Sequence, residues 1–481
     1  MQLSVVIRTL GILVLLFSAT LLPPLVVSLI YQDGEASDFL VAIAVGMICG
    51  LALYVPYSRR DLTILNRDGF LIVALTWSAM SLLGSLPFIF GLQMSFVDAV
   101  FESASGFTTT GATVISGLDD VAPSILLYRQ EIQWLGGIGV VVAAVALLPM
   151  LRIGGMQLYK AETPGPMKDE KLTPRITHTA RSLCQLYFWF TLSCALCFWL
   201  AGMEPFDAIA HSLSTLSTGG FSTHDASMAY FNSPAIEGVA ILFMLIGGIS
   251  FSIHFLARAN QDLGEYWRDA QVRAFLITVL VMVYSIGAAL YLTGTRDTIV
   301  AAVRHAAFEV VSVITTTGFG VDDFSLWPLA LPVVLILSSF VGGCAGSTSG
   351  GMKVIRFLIV WKQAVIHVQR LIHPQMIRPL KVNNRTISDP IIEGIWAFFV
   401  VYVITFAFLM VLLMMDGLDQ VTAFGAVATC INNLGPGLGK VSTNFEAVSN
   451  GSKLLLVLAM LLGRLEIFTF LVLLTPSFWR R

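Results

Sequence analysis

Charge is scarce in this chain. Of 481 residues, 28 are Lys or Arg and 30 are Asp or Glu, so only 12% are charged, about half of the ~25% usual in soluble proteins. Hydrophobic residues make up 56%, and the mean hydropathy is +0.81. The polar surface needed to cover soluble domains of this length is missing, which excludes a water-soluble globular enzyme. Disorder and collagen-like repeats are excluded by the same composition. A net charge of -2 leaves no basic excess for nucleic acid. There are six cysteines, Cys49, Cys184, Cys194, Cys197, Cys344 and Cys430, and they are scattered, mostly within apolar runs. Cys194-Ala-Leu-Cys197 has redox spacing, but no His or carboxylate lies nearby, so these read as small core residues. The seven histidines show no metal-ligating spacing and read as surface or packing residues. No Walker loop, no GxGxxG after a strand and no catalytic triad is present. No small-residue cleavage site precedes Tyr31, so the first apolar run reads as a retained span.

Long apolar runs are what the chain has. Ten can be marked, at 9–30, 38–57, 70–90, 130–151, 183–202, 236–257, 274–293, 329–351, 390–415 and 454–475, each near the ~20 residues that cross a bilayer. With a cytoplasmic N-terminus, the inside connections collect 22 Lys and Arg residues. The outside ones hold 5, namely Arg129, Arg296, Arg304, Lys440 and Lys453, while Arg464 lies within a span. This asymmetry predicts an even number of spans with both termini in the cytoplasm.

Several outside connections are long and weakly polar. The stretch beginning Pro205-Phe-Asp-Ala-Ile-Ala is apolar but too short to span, as a re-entrant helix would be. The same pattern occurs four times. Phe101-Glu-Ser-Ala-Ser-Gly-Phe-Thr-Thr-Thr-Gly111, Ala210-His-Ser-Leu-Ser-Thr-Leu-Ser-Thr-Gly-Gly220, Phe308-Glu-Val-Val-Ser-Val-Ile-Thr-Thr-Thr-Gly318 and Gly425-Ala-Val-Ala-Thr-Cys-Ile-Asn-Asn-Leu-Gly435 align on their final glycines. Each carries a Ser or Thr six residues earlier: Ser105, Ser214, Ser312 and Thr429. The following span holds a small pair in three copies, Gly136-Gly137, Gly247-Gly248 and Gly342-Gly343, and Gly463-Arg464 in the fourth. The repeating unit is span, short pore helix, glycine-containing strand, span.

The fold expected is therefore an all-α polytopic membrane protein. Residues 1–69 form an N-terminal two-span region. The four units occupy 70–151, 152–257, 258–389 and 390–481. Unwound segments at membrane depth are tolerated where they line a water-filled path. Gly permits backbone angles that turn successive carbonyls toward one axis, where they can replace an ion's hydration shell. The expected filter comprises Thr109, Thr110, Gly111 and Ala112; Thr218, Gly219, Gly220 and Phe221; Thr316, Thr317, Gly318 and Phe319; and Asn433, Leu434, Gly435 and Pro436. No Asp or Glu stands in these segments, which argues against a divalent-selective pore. Asp98, Glu102, Asp207, Glu309 and Asp419 lie on or near the short helices and read equally as helix anchors or as a negative outer vestibule.

The eighth span is interrupted by Gly342-Gly-Cys-Ala-Gly-Ser-Thr-Ser-Gly-Gly351, through which a helix runs poorly. Such polar, Gly-rich backbone suits a two-state element below the filter. Its candidate gating residues are Gly342, Gly343, Gly346, Ser347, Thr348, Ser349, Gly350 and Gly351. Arg464, mid-span, is costly in a bilayer and should face the pore or a partner; Glu466 is poorly placed to be that partner. The basic inside connections 152–182 and 352–389 suit anionic lipid or a cytoplasmic partner.

Phe107-Thr-Thr-Thr-Gly111, Ser217-Thr-Gly-Gly220-Phe, Thr315-Thr-Thr-Gly318-Phe and Asn432-Asn-Leu-Gly435-Pro-Gly resemble the four filter loops of the Trk/Ktr/HKT superfamily of potassium transporters. The likeness covers nearly the whole chain, and the extra first two spans are similar to the bacterial TrkH-type branch. The resemblance implies pseudo-fourfold symmetry around one pore, a homodimer, a cytoplasmic nucleotide-binding regulatory subunit of the TrkA type, and a bacterial inner-membrane location. It implies no covalent cofactor, only potassium in the filter. A Gly in all four filter positions accompanies potassium preference in that family, and a Ser in the first accompanies sodium passage. The Gly342–Gly351 loop matches the family's gating loop, and Arg464 its positive barrier. The reading expected is a potassium-selective gated pore. Potassium symport with sodium or protons, and the potassium-binding subunit of an ATP-driven pump, are the alternatives.

Overall fold

The computed structural model describes residues 2–58, 66–146, 172–383 and 385–480. These are almost wholly helical; among the described residues the only strands are Lys381–Val382 and Arg385–Thr386, paired antiparallel. Six stretches are long and apolar enough to cross a membrane: Leu3–Tyr31, Ala36–Tyr57, Arg67–Gly91, Thr179–Leu200, Ala270–Leu292 and Asp389–Met415. They coincide with six of the ten expected spans. A seventh, 130–151, falls on the helix Pro123–Ala146. Its last residues, Arg59 and Arg60, and the loop around Lys160–Lys171 lie outside the described residues.

The other three expected spans are broken. Residues 236–257 form two helices, Pro234–Gly248 and Phe251–Asn260, bent by 92°, and 454–475 form Asn450–Arg464 and Glu466–Leu474, bent by 113°. The first break falls at Gly247-Gly248, poor helix formers; the second pivots on Glu466, whose φ is +53°. Residues 329–351 yield only the nine-residue helix Leu331–Ser339 before the chain leaves helical geometry. The first and third of these breaks satisfy each other. The freed carbonyls of Gly248 and Gly247 accept the N–H groups of Cys344 (2.8 Å) and Thr348 (3.2 Å), so buried backbone opened in one span is closed by the next.

Between long helices sit four short buried ones, Phe96–Phe107, Pro205–Ser217, Ile299–Ile314 and Gln420–Asn432. Three begin on a side-chain cap: Ser95 accepts the Asp98 N–H, Thr298 that of Ala301, and Asp419 that of Thr422. The second instead places Pro205 in its first turn. All four end alike. The residue before each aligned glycine donates its N–H to the Ser or Thr carbonyl six positions before that glycine: Thr110 to Ser105, Gly219 to Ser214, Thr317 to Ser312 and Leu434 to Thr429, at 2.8–2.9 Å. One residue earlier the chain enters the left-handed region, at Thr109, Thr218, Thr316 and Asn433 (φ +52° to +56°). This is a Schellman-like stop. Asn tolerates it; for β-branched Thr it is a strained conformation. The small pairs in the following spans have a steric purpose: a Cβ on Gly136 would collide with the Phe107 carbonyl, one on Gly463 with the Ile431 carbonyl, and one on Gly247 would approach the Leu216 carbonyl to 2.9 Å.

Candidate functional site

The four aligned glycines lie in a closed ring. Gly111, Gly220, Gly318 and Gly435 have φ of +81°, +82°, +85° and +99°, angles that side-chain-bearing residues rarely adopt. A Cβ on Gly111 would collide with the Gly219 carbonyl oxygen, one on Gly220 with that of Thr317, and one on Gly318 with that of Leu434. One on Gly435 would stand 2.8 Å from the Thr110 carbonyl oxygen, returning to the first copy. Each glycine thus abuts the carbonyl just before the next copy's glycine. All sixteen segment residues are buried or half-buried, and Thr109 Oγ1 and Asn433 Oδ1 are buried oxygens with no hydrogen-bond partner among the described residues.

Behind three of the four segments a polar group braces the strand. Nine residues before the glycine stand Glu102, His211 and Glu309, with Ala426 in the fourth copy. Glu102 accepts the Val114 N–H (2.9 Å), Glu309 accepts those of Val321 and Asp322 (2.8 and 3.1 Å), and His211 Nε2 lies 3.0 Å from the Ser222 hydroxyl. Asp98 pairs with Lys453 at 2.6 Å, Asp207 takes the Thr223 hydroxyl, and Asp419 caps its helix. The contacts of all five acidic residues are those of anchors. Asp416, just beyond the span Asp389–Met415, accepts the Ser449 and Ser452 hydroxyls, which hold its carboxyl below the ordinary carboxylate range.

Two cations counted above among outside connections are buried. Arg129 is 1% exposed and pairs with the fully buried Glu102 at 2.8 Å, and Lys453 is the partner of Asp98. Hydropathy could not separate these paired charges from loop charges, because their partners are distant in sequence. Arg129→Met is expected to cost ~3–5 kcal/mol by leaving the Glu102 carboxylate without its counter-charge. Unfolding in detergent should show this loss, and Glu102→Gln added to it should restore part.

The Gly342–Gly351 loop lies against the ends of three short helices. The Thr348 hydroxyl donates within 3.0 Å of the Leu216 and Gly247 carbonyls, the Gly350 N–H reaches the Thr316 hydroxyl (2.6 Å), and the Gly351 N–H reaches the Asn432 carbonyl (3.0 Å). Gly342, Gly346 and Gly351 all have positive φ. Gly343 sits against the Gly248 carbonyl, and Ser347 and Ser349 are buried. Arg464 Nη1 donates to the Thr348 carbonyl at 2.8 Å, and among the described residues no carboxylate pairs with it. Glu466 pairs instead with Arg356 at 2.7 Å, a partner invisible in sequence. Arg356 also donates to the Met352 carbonyl and stacks on Phe398 at 4.0 Å. A cavity of about 60 Å³ lies here, its polar lining including Ser347, Ser349, Lys353, Arg356, Arg464 and Glu466. Among the described lining residues, three basic side chains stand with one carboxylate.

Spans, mated breaks and four buried short helices define a multi-pass helical membrane protein. The chain matches the TrkH family of cation transport proteins over residues 36–481, and it belongs to that family. It is 49% identical to the Trk system potassium uptake protein TrkH of Halomonas elongata and 45% identical to that of Escherichia coli K12, with both chains covered in full. The crystal structure of the potassium transporter TrkH from Vibrio parahaemolyticus superposes with a TM-score of 0.93 at 45% identity, again over all of both chains.

Proposed function

We propose that this protein takes up potassium across the bacterial inner membrane through a selective, gated, channel-like pore. The observation that carries the reading is the closed ring of glycine–carbonyl contacts, for which the units 70–151, 152–257, 258–389 and 390–481 each supply a quarter. Four short helices end at this ring, so their partial negative ends favour a cation. Neutral oxygens, including the unpartnered Thr109 Oγ1 and Asn433 Oδ1, suit a hard monovalent ion. The filter is then 109–112, 218–221, 316–319 and 433–436, with potassium as cargo. The gate is Gly342–Gly351 with Arg464. The charge asymmetry supports cytoplasmic termini. The relatives' names as Trk system proteins support a regulatory partner, which we take to be a TrkA-type nucleotide-binding subunit acting on a homodimer. Tracer potassium uptake into proteoliposomes under excess sodium tests the function. Uptake that sodium does not suppress is expected, and equal entry of both ions would overturn the proposed selectivity.

Arg464 gives a separate test of the gate. Among the described residues it has one hydrogen bond to the loop and no carboxylate to orphan, so Arg464→Ala should lower stability by only about 1 kcal/mol while removing a cation from the path. Resting potassium flux per inserted molecule should rise about tenfold, since ~1.4 kcal/mol of barrier is a factor of ten. Loss of folded protein with no gain in flux per molecule would make Arg464 a packing residue.

A further inference from the structure

The second copy departs from the others at one position. The residue before the aligned glycine is Thr110, Thr317 or Leu434 elsewhere, but Gly219 here. The backbone does not demand this glycine: Gly219 is absent from the positive-φ set that contains its neighbour Gly220. What excludes a side chain is Gln133, which a Cβ on Gly219 would strike. Gln133 comes from another unit, on the helix Pro123–Ala146. It is fully buried, and it makes three hydrogen bonds to this copy alone. Its Nε2 donates to the Gly219 carbonyl (2.6 Å), and its Oε1 accepts the Phe221 N–H (3.1 Å) and the Ser214 hydroxyl (2.6 Å). One turn away, Arg129 Nη1 donates to the Ser222 carbonyl (3.0 Å).

In the first and third copies the side chain at this position anchors the strand itself. Thr110 Oγ1 lies 2.7 Å from Thr108 Oγ1 and receives the Asn433 amide (3.0 Å), and Thr317 Oγ1 lies 2.7 Å from Thr315 Oγ1. The positions matching Gln133, three residues before each small pair, are Met244, Ser339 and Met460. None of these carries an amide. Gln133 therefore replaces, from a neighbouring unit, the anchor that the second copy lacks. It holds the Gly219 carbonyl, the one that abuts Gly111, and the N–H of the next peptide unit, so Gly220 is gripped from both sides.

We infer that Gln133 is a positioning residue for ion selectivity. It fixes the Gly219-Gly220 segment, whose two adjacent glycines would otherwise give this quarter of the ring the most conformational freedom. The inference rests on the ring being the filter. A loosened Gly219 carbonyl lets the ring adjust to a smaller ion, so preference falls before conduction does.

The test is the ratio of sodium to potassium tracer flux per inserted molecule, measured with thermal stability in detergent. Gln133→Ala should raise the ratio about fivefold, the factor that one net hydrogen bond is worth. Adding Gly219→Thr to Gln133→Ala restores the anchor used by the first and third copies and should return the ratio to within about twofold of the parent. A purely structural role would reduce all fluxes together and leave the ratio unchanged, which overturns the inference. If Gln133→Ala does not insert, Gln133→Asn carries the same test; failure of both to insert assigns Gln133 to folding and also overturns it. Gly220→Ser is the control. If it shifts the ratio and the Gln133 variants do not, only this inference falls; if neither shifts it, the filter reading itself is at fault.

Discussion

Gly111→Ser is expected to raise sodium flux relative to potassium by about tenfold. The new residue must hold a left-handed backbone at φ +81°, which costs of order 1–3 kcal/mol where the surroundings do not relax. Its Cβ would also occupy the place of the Gly219 carbonyl oxygen. The strain is relieved by displacing that carbonyl, and ion preference depends on where the carbonyls stand. The hydroxyl adds a flexible oxygen that can follow a smaller cation. The measurement is the sodium-to-potassium flux ratio in protein inserted at the parental level. An unchanged ratio would remove Gly111 from the ion path.

Shortening the loop by deleting Gly346–Gly350 is expected to raise potassium flux at least tenfold without any regulator, since the obstruction is removed and the ring is left in place. The deleted stretch supplies the bonds to Leu216, Gly247 and Thr316. It also supplies the Thr348 carbonyl that holds Arg464. Dependence on the proposed regulatory partner should weaken together with the rise in flux. Wild-type, regulator-dependent flux from a folded deletion variant would make the loop a packing element.

Much of this was legible in the residues. The four aligned copies predict four short helices, each followed by a glycine-containing strand, because the glycine recurs at a fixed offset from the Ser or Thr; the left-handed residue at each stop is seen only in the structure. The Gly342–Gly351 run predicts a break because five glycines in ten residues cannot hold a helix. The breaks after Gly248 and at Glu466 were not legible as breaks, since each pair of helices is apolar enough overall to read as one span. The Gly247-Gly248 break holds because the loop of another span takes its carbonyls. Residues whose meaning lies in a distant partner were also hidden. Arg129 meets Glu102 across 27 positions, Gln133 meets Gly219 across 86, and Arg356 meets Glu466 across 110. Only Gly219, standing where other copies carry Thr or Leu, signalled that a foreign side chain fills its space.

We propose that the ring conducts potassium as a pore rather than as a coupled carrier. Carriers of the inverted-repeat kind move ions by rocking about ionisable midplane sites, whereas the four segments here carry no acidic residue. Tracer potassium flux into proteoliposomes, driven by an imposed voltage with no sodium or proton gradient, tests this directly. Flux that follows the electrochemical gradient of potassium alone and reverses with it is expected. Flux that appears only when a sodium or proton gradient is supplied would contradict it.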